Sequence, residues 1–410
     1  MKNYVIIGNS IAATGCIEGI RSVDKRGKIT VVSKENAPAY CRPLISYYLE
    51  SKTTLEKMNY RAESFYSDNN CKVLYGKEAV SIDENKKTIL LNDGQELPYS
   101  SICVATGSSP FVPPFNGLDL VENKFEFMTI SDMLALEKAV SASSNVLIVG
   151  AGLIGLKCAE GLLKRVKSIT VCDLAGRVLS SILDDECAAI MQKHLEKNGI
   201  TFCLSDSVSR FEKNVAHMQS GKTIPFDVVV LAVGVRANTS LIKNAGGKVE
   251  RGIIVNSKMR TSLKNIYAAG DCVETDDISF GSHRVLAILP NAYMQGRIAG
   301  LNMAGEPATF DKGIPMNSIG FFGLHAMTAG TYTGQMYEEK GDNYIKRLFT
   351  KKNHLCGYIL IGKTDRAGIY TSLIREQTPL DEINFDLLKT DATSAAFSPE
   401  LRRKMFGGVV

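Results

Sequence analysis

The sequence predicts an α/β chain with two nucleotide-binding βαβ units and a smaller C-terminal α+β region. Three observations carry this. Tyr4-Val5-Ile6-Ile7-Gly8-Asn9-Ser10-Ile11-Ala12-Ala13 runs an apolar strand straight into a small-residue turn and a helix start. Asn145-Val146-Leu147-Ile148-Val149-Gly150-Ala151-Gly152-Leu153-Ile154-Gly155 repeats that grammar with all three glycines. Small residues there let the backbone approach a pyrophosphate, and the helix N-terminus offers N–H donors and a positive dipole. Beyond Gly313, the segments 343–350 and 355–362 read instead as antiparallel strands around a turn at Asn353. Two dinucleotide fingerprints a small domain apart imply one dinucleotide that gives electrons and one that takes them.

In chain order, a strand at 4–8, a helix from Ile11 to Val23 and a strand from Lys28 to Ser33 make the first βαβ unit. Short strands follow at 72–75 and 79–82, and Asn92-Asp93-Gly94 is a hairpin turn between 87–91 and 96–99. Ser101 to Gly107 is a buried strand ending in a turn, and Pro110 to Pro114 is a linker. The second βαβ unit spans 145–173, with further strands at 201–204 and 228–233. Asn265 to Asp271 is another short apolar strand closing on Gly-Asp, followed by a helix from Ala292 to Met303 that Gly305 stops. A helix from Asp365 to Arg375 is expected, then an extended tail from Thr390 carrying Arg402-Arg403-Lys404.

Composition bounds the function. With 410 residues, 45% hydrophobic and 22% charged, the chain suits two or three soluble domains. No apolar run reaches membrane-spanning length, and the first strand begins too early for a signal peptide. Ten cysteines show no C-x-x-C spacing, which argues against a thioredoxin-type dithiol and against zinc or iron–sulfur ligation, and suits a reduced cytoplasmic protein. The five histidines make no metal-ligand spacing. A net charge of +5 does not argue for nucleic acid and permits an acidic protein partner.

The two fingerprints, with Ala105-Thr106-Gly107, Ala232-Val233-Gly234 and Ala268-Ala269-Gly270-Asp271, resemble the FAD- and NAD(P)-dependent reductases with two dinucleotide-binding domains. Pro38-Ala39-Tyr40-Cys41-Arg42-Pro43-Leu44-Ile45-Ser46, Leu360 to Gly368 and Pro379-Leu380 are similar to the branch of rubredoxin reductases, ferredoxin reductases and nitrite reductase flavin domains. The resemblance runs to about residue 383. It implies a discontinuous FAD domain (1–112 and 241–318), an NAD domain (113–240), a C-terminal interface domain (319–389) and a tail (390–410).

The same resemblance implies the site. Gly8, Ser10 and Ala13 stand at the three small positions of the FAD turn, and Glu35 stands for the ribose acid. Arg42 is expected near the FAD pyrophosphate, with Ser46, Thr106 and Gly107 lining the cofactor. Asp271 is expected to take the ribityl chain, and the helix that opens at Pro290-Asn291-Ala292 to face the flavin pyrimidine, where its dipole stabilises negative charge. Gly150, Gly152, Gly155 and Gly234 belong to the NAD site. Asp173, eighteen residues after Gly155, would accept from both ribose hydroxyls and repel a 2′-phosphate, so NADH is expected over NADPH despite Arg177 and Lys164-Arg165 nearby.

Two departures set the expected chemistry. Disulfide reductases of this kind carry C-x-x-x-x-C beside the flavin, and single-cysteine relatives place the thiol where this chain has Pro43, so Cys41 is expected to be a packed thiol. Related ferredoxin reductases also pair a lysine after the R-P-x-L-S segment with a glutamate after the fingerprint's Gly-Leu. Here Tyr47 and Lys157 stand there, which leaves a lone lysine expected near flavin N5. The expected activity is transfer of electrons from NADH through FAD to a small one-electron carrier, a rubredoxin, ferredoxin or other iron–sulfur protein. NADH oxidase or peroxidase activity is one alternative. An electron-input subunit of a larger complex, docking through Phe397, Phe406 and the basic tail, is another; a homodimer also fits.

Overall fold

The computed structural model describes residues 1–406, with side chains to Arg403. The chain divides into two compact units, the first built from Met1–Ser181, Gln192–Thr275 and His283–Asp311, the second from Ile182–Met191, Asp276–Ser282 and Lys312 onward.

In chain order the first unit holds β1 (Asn3–Ile7), α1 (Ile11–Val23), β2 (Lys28–Ser33), α2 (Leu44–Leu49), β3 (Cys71–Tyr75), β4 (Ser101–Val104), β5 (Lys124–Phe125), α3 (Ile130–Ala139), β6 (Asn145–Val149), α4 (Leu153–Leu162), β7 (Ser168–Asp173), β8 (Ile200–Leu204), β9 (Val228–Leu231), β10 (Ile266–Ala268) and α5 (Leu289–Ala304). One parallel sheet has the order β10-β4-β1-β2-β3 and a second the order β8-β7-β6-β9-β5. Their central strands are buried along their length, from Tyr4 to Ile7 and from Val146 to Val149. Helices on both faces of a parallel sheet demand such unbroken apolar runs. In both sheets the first strand lies between its crossover partner and a later strand, the switch point beside which α/β sheets bind ligands.

Short antiparallel elements fill the gaps. The Asn92-Asp93-Gly94 turn joins strands Thr88–Leu91 and Glu96–Pro98, with Gly94 at a φ of 86° that a side chain would resist. Ser108–Pro110 pairs with Val235–Ala237, so the proline stretch leaves from a two-stranded ribbon. Thr129 and Asp132 close a full capping box on α3.

The second unit is an antiparallel sheet of β11 (Met316–Phe321), β12 (Leu324–Gly330), β13 (Gln335–Gly341), β14 (Tyr344–Lys351) and β15 (His354–Ile361), ordered β11-β12-β15-β14-β13. Helix α6 (Ala367–Glu376) packs on it through Tyr370, Leu373 and Ile374. The expected extended tail is corrected here: after Thr393 the chain forms a short 3-10 turn and then α7 (Pro399–Phe406). Phe397 is 2% exposed within this unit's core, so its ring is not a docking handle. The side chain of Phe406 lies outside the described residues. Within this unit Arg347, its side chain 9% exposed, gathers Asp184 at 2.6 Å, Glu338 at 2.6 Å and Glu186.

Candidate functional site

The two glycine turns have the same construction. Gly8 follows β1 with φ 111°, donates its N–H to Val32 O at 2.9 Å, and carries its α-hydrogen where a Cβ would lie 2.0 Å from Ala105 O. Gly150 follows β6 with φ 118°, donates to Cys172 O at 2.8 Å, and a Cβ would lie 2.2 Å from Ala232 O. Each turn is thus pressed against the neighbouring strand end, where only glycine fits. Helices α1 and α4 start there, and neither Ser10 nor Gly152 supplies a side-chain cap. The first turns of α1 and α4 thus take no side-chain cap, whereas α3 consumes its own first N–H groups in a capping box. A Cβ on Gly152, Gly107 or Gly234 would meet open space. These backbone cradles fit two pyrophosphates, one at the C-terminal edge of each sheet.

Around the first edge, Glu35 lies just beyond β2. Its carboxylate pairs with the Arg42 guanidinium and accepts from Tyr40 Oη at 2.6 Å. Arg42 also donates to Met128 O at 3.1 Å, and Tyr40 Oη accepts from the Ile130 N–H at 3.2 Å. Glu35 and Arg42, read separately from the sequence, therefore meet in one network anchored on the start of α3. Asp271 follows β10 and faces the same arginine. Burial pushes its carboxyl above the usual range, and the Arg42 charge pulls the other way. Thr106 Oγ1 donates to Asn238 O at 2.8 Å, and Asn238 Nδ2 returns a bond to Thr106 O at 2.9 Å. Ala13 is fully buried and Ala292 lies buried in the first turn of α5. Ser46 is 1% exposed, and its hydroxyl turns back on Pro43 O at 3.1 Å inside α2.

At the second edge Asp173 ends β7. Its carboxylate accepts from the Ala151 N–H at 2.6 Å and the Ala175 N–H at 2.8 Å, which holds it beside the Gly150 turn. Gly155 fits under that turn, where a Cβ would lie 2.0 Å from Gly150 O.

Lys157 is not lone, and this corrects the sequence reading. One helical turn on, Glu160 pairs with it; the two side chains are 16% and 4% exposed. The ammonium also stands 4.7 Å from the centre of the Tyr47 ring, with Lys52 5.5 Å from it. Tyr47 lies on α2, which packs against α4; a Cβ on Gly161 would come within 3.0 Å of Ser46 O. The acid has moved three positions along the same helix. The i, i+3 spacing of Lys157 and Glu160 was the available signal. Cys41, beside Arg42, is half-buried, and burial pushes its thiol up, away from the thiolate that redox chemistry needs. Gln295, which had no sequence signal, is 1% exposed and accepts from the Gly270 N–H at 2.9 Å.

One compact unit with two such edges defines an oxidoreductase that brings two dinucleotides together. The chain belongs to the pyridine nucleotide-disulphide oxidoreductase family, whose model matches residues 2–296. It is an enzyme that works with FAD and NADH. It is 30% identical to the NADH-dependent phenylglyoxylate dehydrogenase subunit epsilon of Aromatoleum evansii, over 92% of each chain. It is 28% identical to the rubredoxin-NAD(+) reductase of Pseudomonas putida, over 73% of this chain and 80% of that one. The fold matches a chain of the covalent putidaredoxin reductase–putidaredoxin complex with a TM-score of 0.87 at 22% identity, over 96% and 97% of the two chains. Among the described residues no helix is long and apolar enough to cross a membrane.

Proposed function

We propose that this enzyme carries electrons from NADH through FAD to a small one-electron iron–sulfur carrier, with no thiol in the path. The carrying observation is the pair of glycine cradles in one unit, with Cys41 a half-buried thiol that burial pushes up. FAD supplies the conversion of a two-electron donor into one-electron steps. The chain's residues position and bias. The N–H groups at the start of α1 and Gly8 take the FAD pyrophosphate, and Asp271 takes the ribityl chain. Glu35 and Arg42, locked together, face the adenosine ribose and pyrophosphate, with Thr106, Gly107 and Ala292 lining the cofactor. Gly150, Gly152 and Gly234 cradle NADH, and Asp173 meets its ribose hydroxyls. Lys157 and Glu160 on α4, with Tyr47 facing the ammonium from α2, set the local charge.

This reading divides the first unit into FAD (1–112, 241–318) and NAD (113–240) portions, followed by an interface domain at 319–389. The named function of the Aromatoleum relative favours a second reading, an electron-input subunit of a larger complex. Ten unpaired thiols support a reducing compartment, hence the cytoplasm. Anaerobic NADH oxidation is expected to depend on added rubredoxin or ferredoxin. Turnover that proceeds equally well on oxygen, or on a disulfide, would overturn the proposal.

A further inference from the structure

Asp271 stands in a turn that the Val273 N–H closes on Gly270 O at 3.1 Å, while the Ala269 N–H bonds Val104 O at 3.0 Å. Gly270 sits in it at φ 87°, and its own N–H is held from helix α5. Gln295 Oε1 accepts the Gly270 N–H at 2.9 Å, and its Nε2 reaches Thr275 Oγ1 at 3.5 Å. Gln295 and Thr275 are 1% and 2% exposed, so water does not compete.

The helix that presents Gln295 is itself fixed against α1. Cβ atoms added to Gly296 and Gly300 would fall 2.0 Å from Ala12 O and 2.2 Å from Cys16 O. On the facing side, Cβ atoms on Gly15 and Gly19 would fall 2.3 Å from Tyr293 O and 2.4 Å from Arg297 O. The two helices therefore touch backbone to backbone over two turns. The Gly270 turn fits between them, its Cβ site 3.1 Å from Ala12 Cβ and 3.8 Å from Ala292 Cβ.

We infer that Gln295 is a positioning residue: by holding the Gly270 turn on α5, it aims Asp271 at FAD. This rests on reading Asp271 as an FAD ligand. Titration of the apo-protein with FAD, read by flavin fluorescence, tests it. Gln295→Met keeps the bulk and removes the acceptor, and should weaken FAD by about tenfold or more. In an Asp271→Asn background, Gln295→Met should add little, because both changes remove one contact. Should the methionine variant not fold, Gln295→Ala admits a water to the Gly270 N–H and is expected to weaken FAD in the same direction. Unchanged FAD affinity in a folded Gln295→Met or Gln295→Ala protein, or losses that add fully to Asp271→Asn, would overturn the inference and leave the site reading intact. Wild-type affinity in Asp271→Asn alone would overturn the site reading itself.

Discussion

Asp173 shows how one side chain serves fold and selectivity together. Its two carboxylate oxygens hold the Ala151 and Ala175 N–H groups, so the charge sits at a set place beside the second glycine turn. A 2′-phosphate there would meet that charge at close range. Asp173→Asn is expected to narrow the NADH preference by about ten- to hundredfold, worth roughly 1–3 kcal/mol. Comparing kcat/KM for NADH and NADPH checks this; an unchanged ratio would remove Asp173 from the ribose. Lys157 illustrates the converse. A motif position pointed to a solitary cation, yet its buried partner Glu160 stands one turn away. Lys157→Met should therefore cost about 3 kcal/mol in urea unfolding, because it strips a close counter-ion from a buried carboxylate, while Lys157→Met with Glu160→Leu should recover most of that. The glycines, Asp173 and Asp271 were legible because backbone clashes and strand ends dictate them locally. Glu160 was overlooked although its i, i+3 spacing to Lys157 stood in the sequence, whereas Gln295 was not legible, because only folding brings Gly270 near it.

At the scale of elements, the parallel strands were legible as unbroken apolar runs, since burial on both faces leaves no polar side to alternate. The helix Asp185–Lys197 was missed although Cys187, Ala188, Met191 and Leu195, all buried, recur at helical spacing. The tail helix α7 was missed because its eight residues hold few apolar positions from which to read a period. The α1–α5 contact was invisible too, although its four glycines stood in the sequence, because helix-interior glycine gains meaning only when another backbone approaches. Gly300→Ala should destabilise the protein by about 1–3 kcal/mol in denaturant unfolding, the cost of forcing a methyl against Cys16 O. In the second unit, burial opposes the Asp184 carboxylate, but the Cys187 N–H and the Arg347 guanidinium outweigh it and hold its carboxyl below the usual range. A carboxyl so lowered adds stability that is fully present above the ordinary aspartate range and is lost as pH falls through the lowered value. Asp184→Asn should thus destabilise at pH 7 and converge on wild type in strong acid. An equal difference at both pH values would contradict that assignment.

The whole molecule places two glycine-turn edges within one unit, one on each parallel sheet, and has Pro43 at the start of α2. That arrangement was legible from two fingerprints and that proline. The identity of the electron carrier was not, because surface recognition leaves no spacing rule in a single chain. The central claim is that electrons have no store in the protein besides the flavin. Anaerobic titration of the FAD-loaded enzyme with NADH, followed through the visible flavin bands, measures this capacity directly. About one equivalent of NADH per flavin should complete the reduction, the two electrons a flavin alone accepts. A requirement for about two equivalents, with a thiolate–flavin charge-transfer band at the midpoint, would reveal a redox-active cysteine and contradict the account.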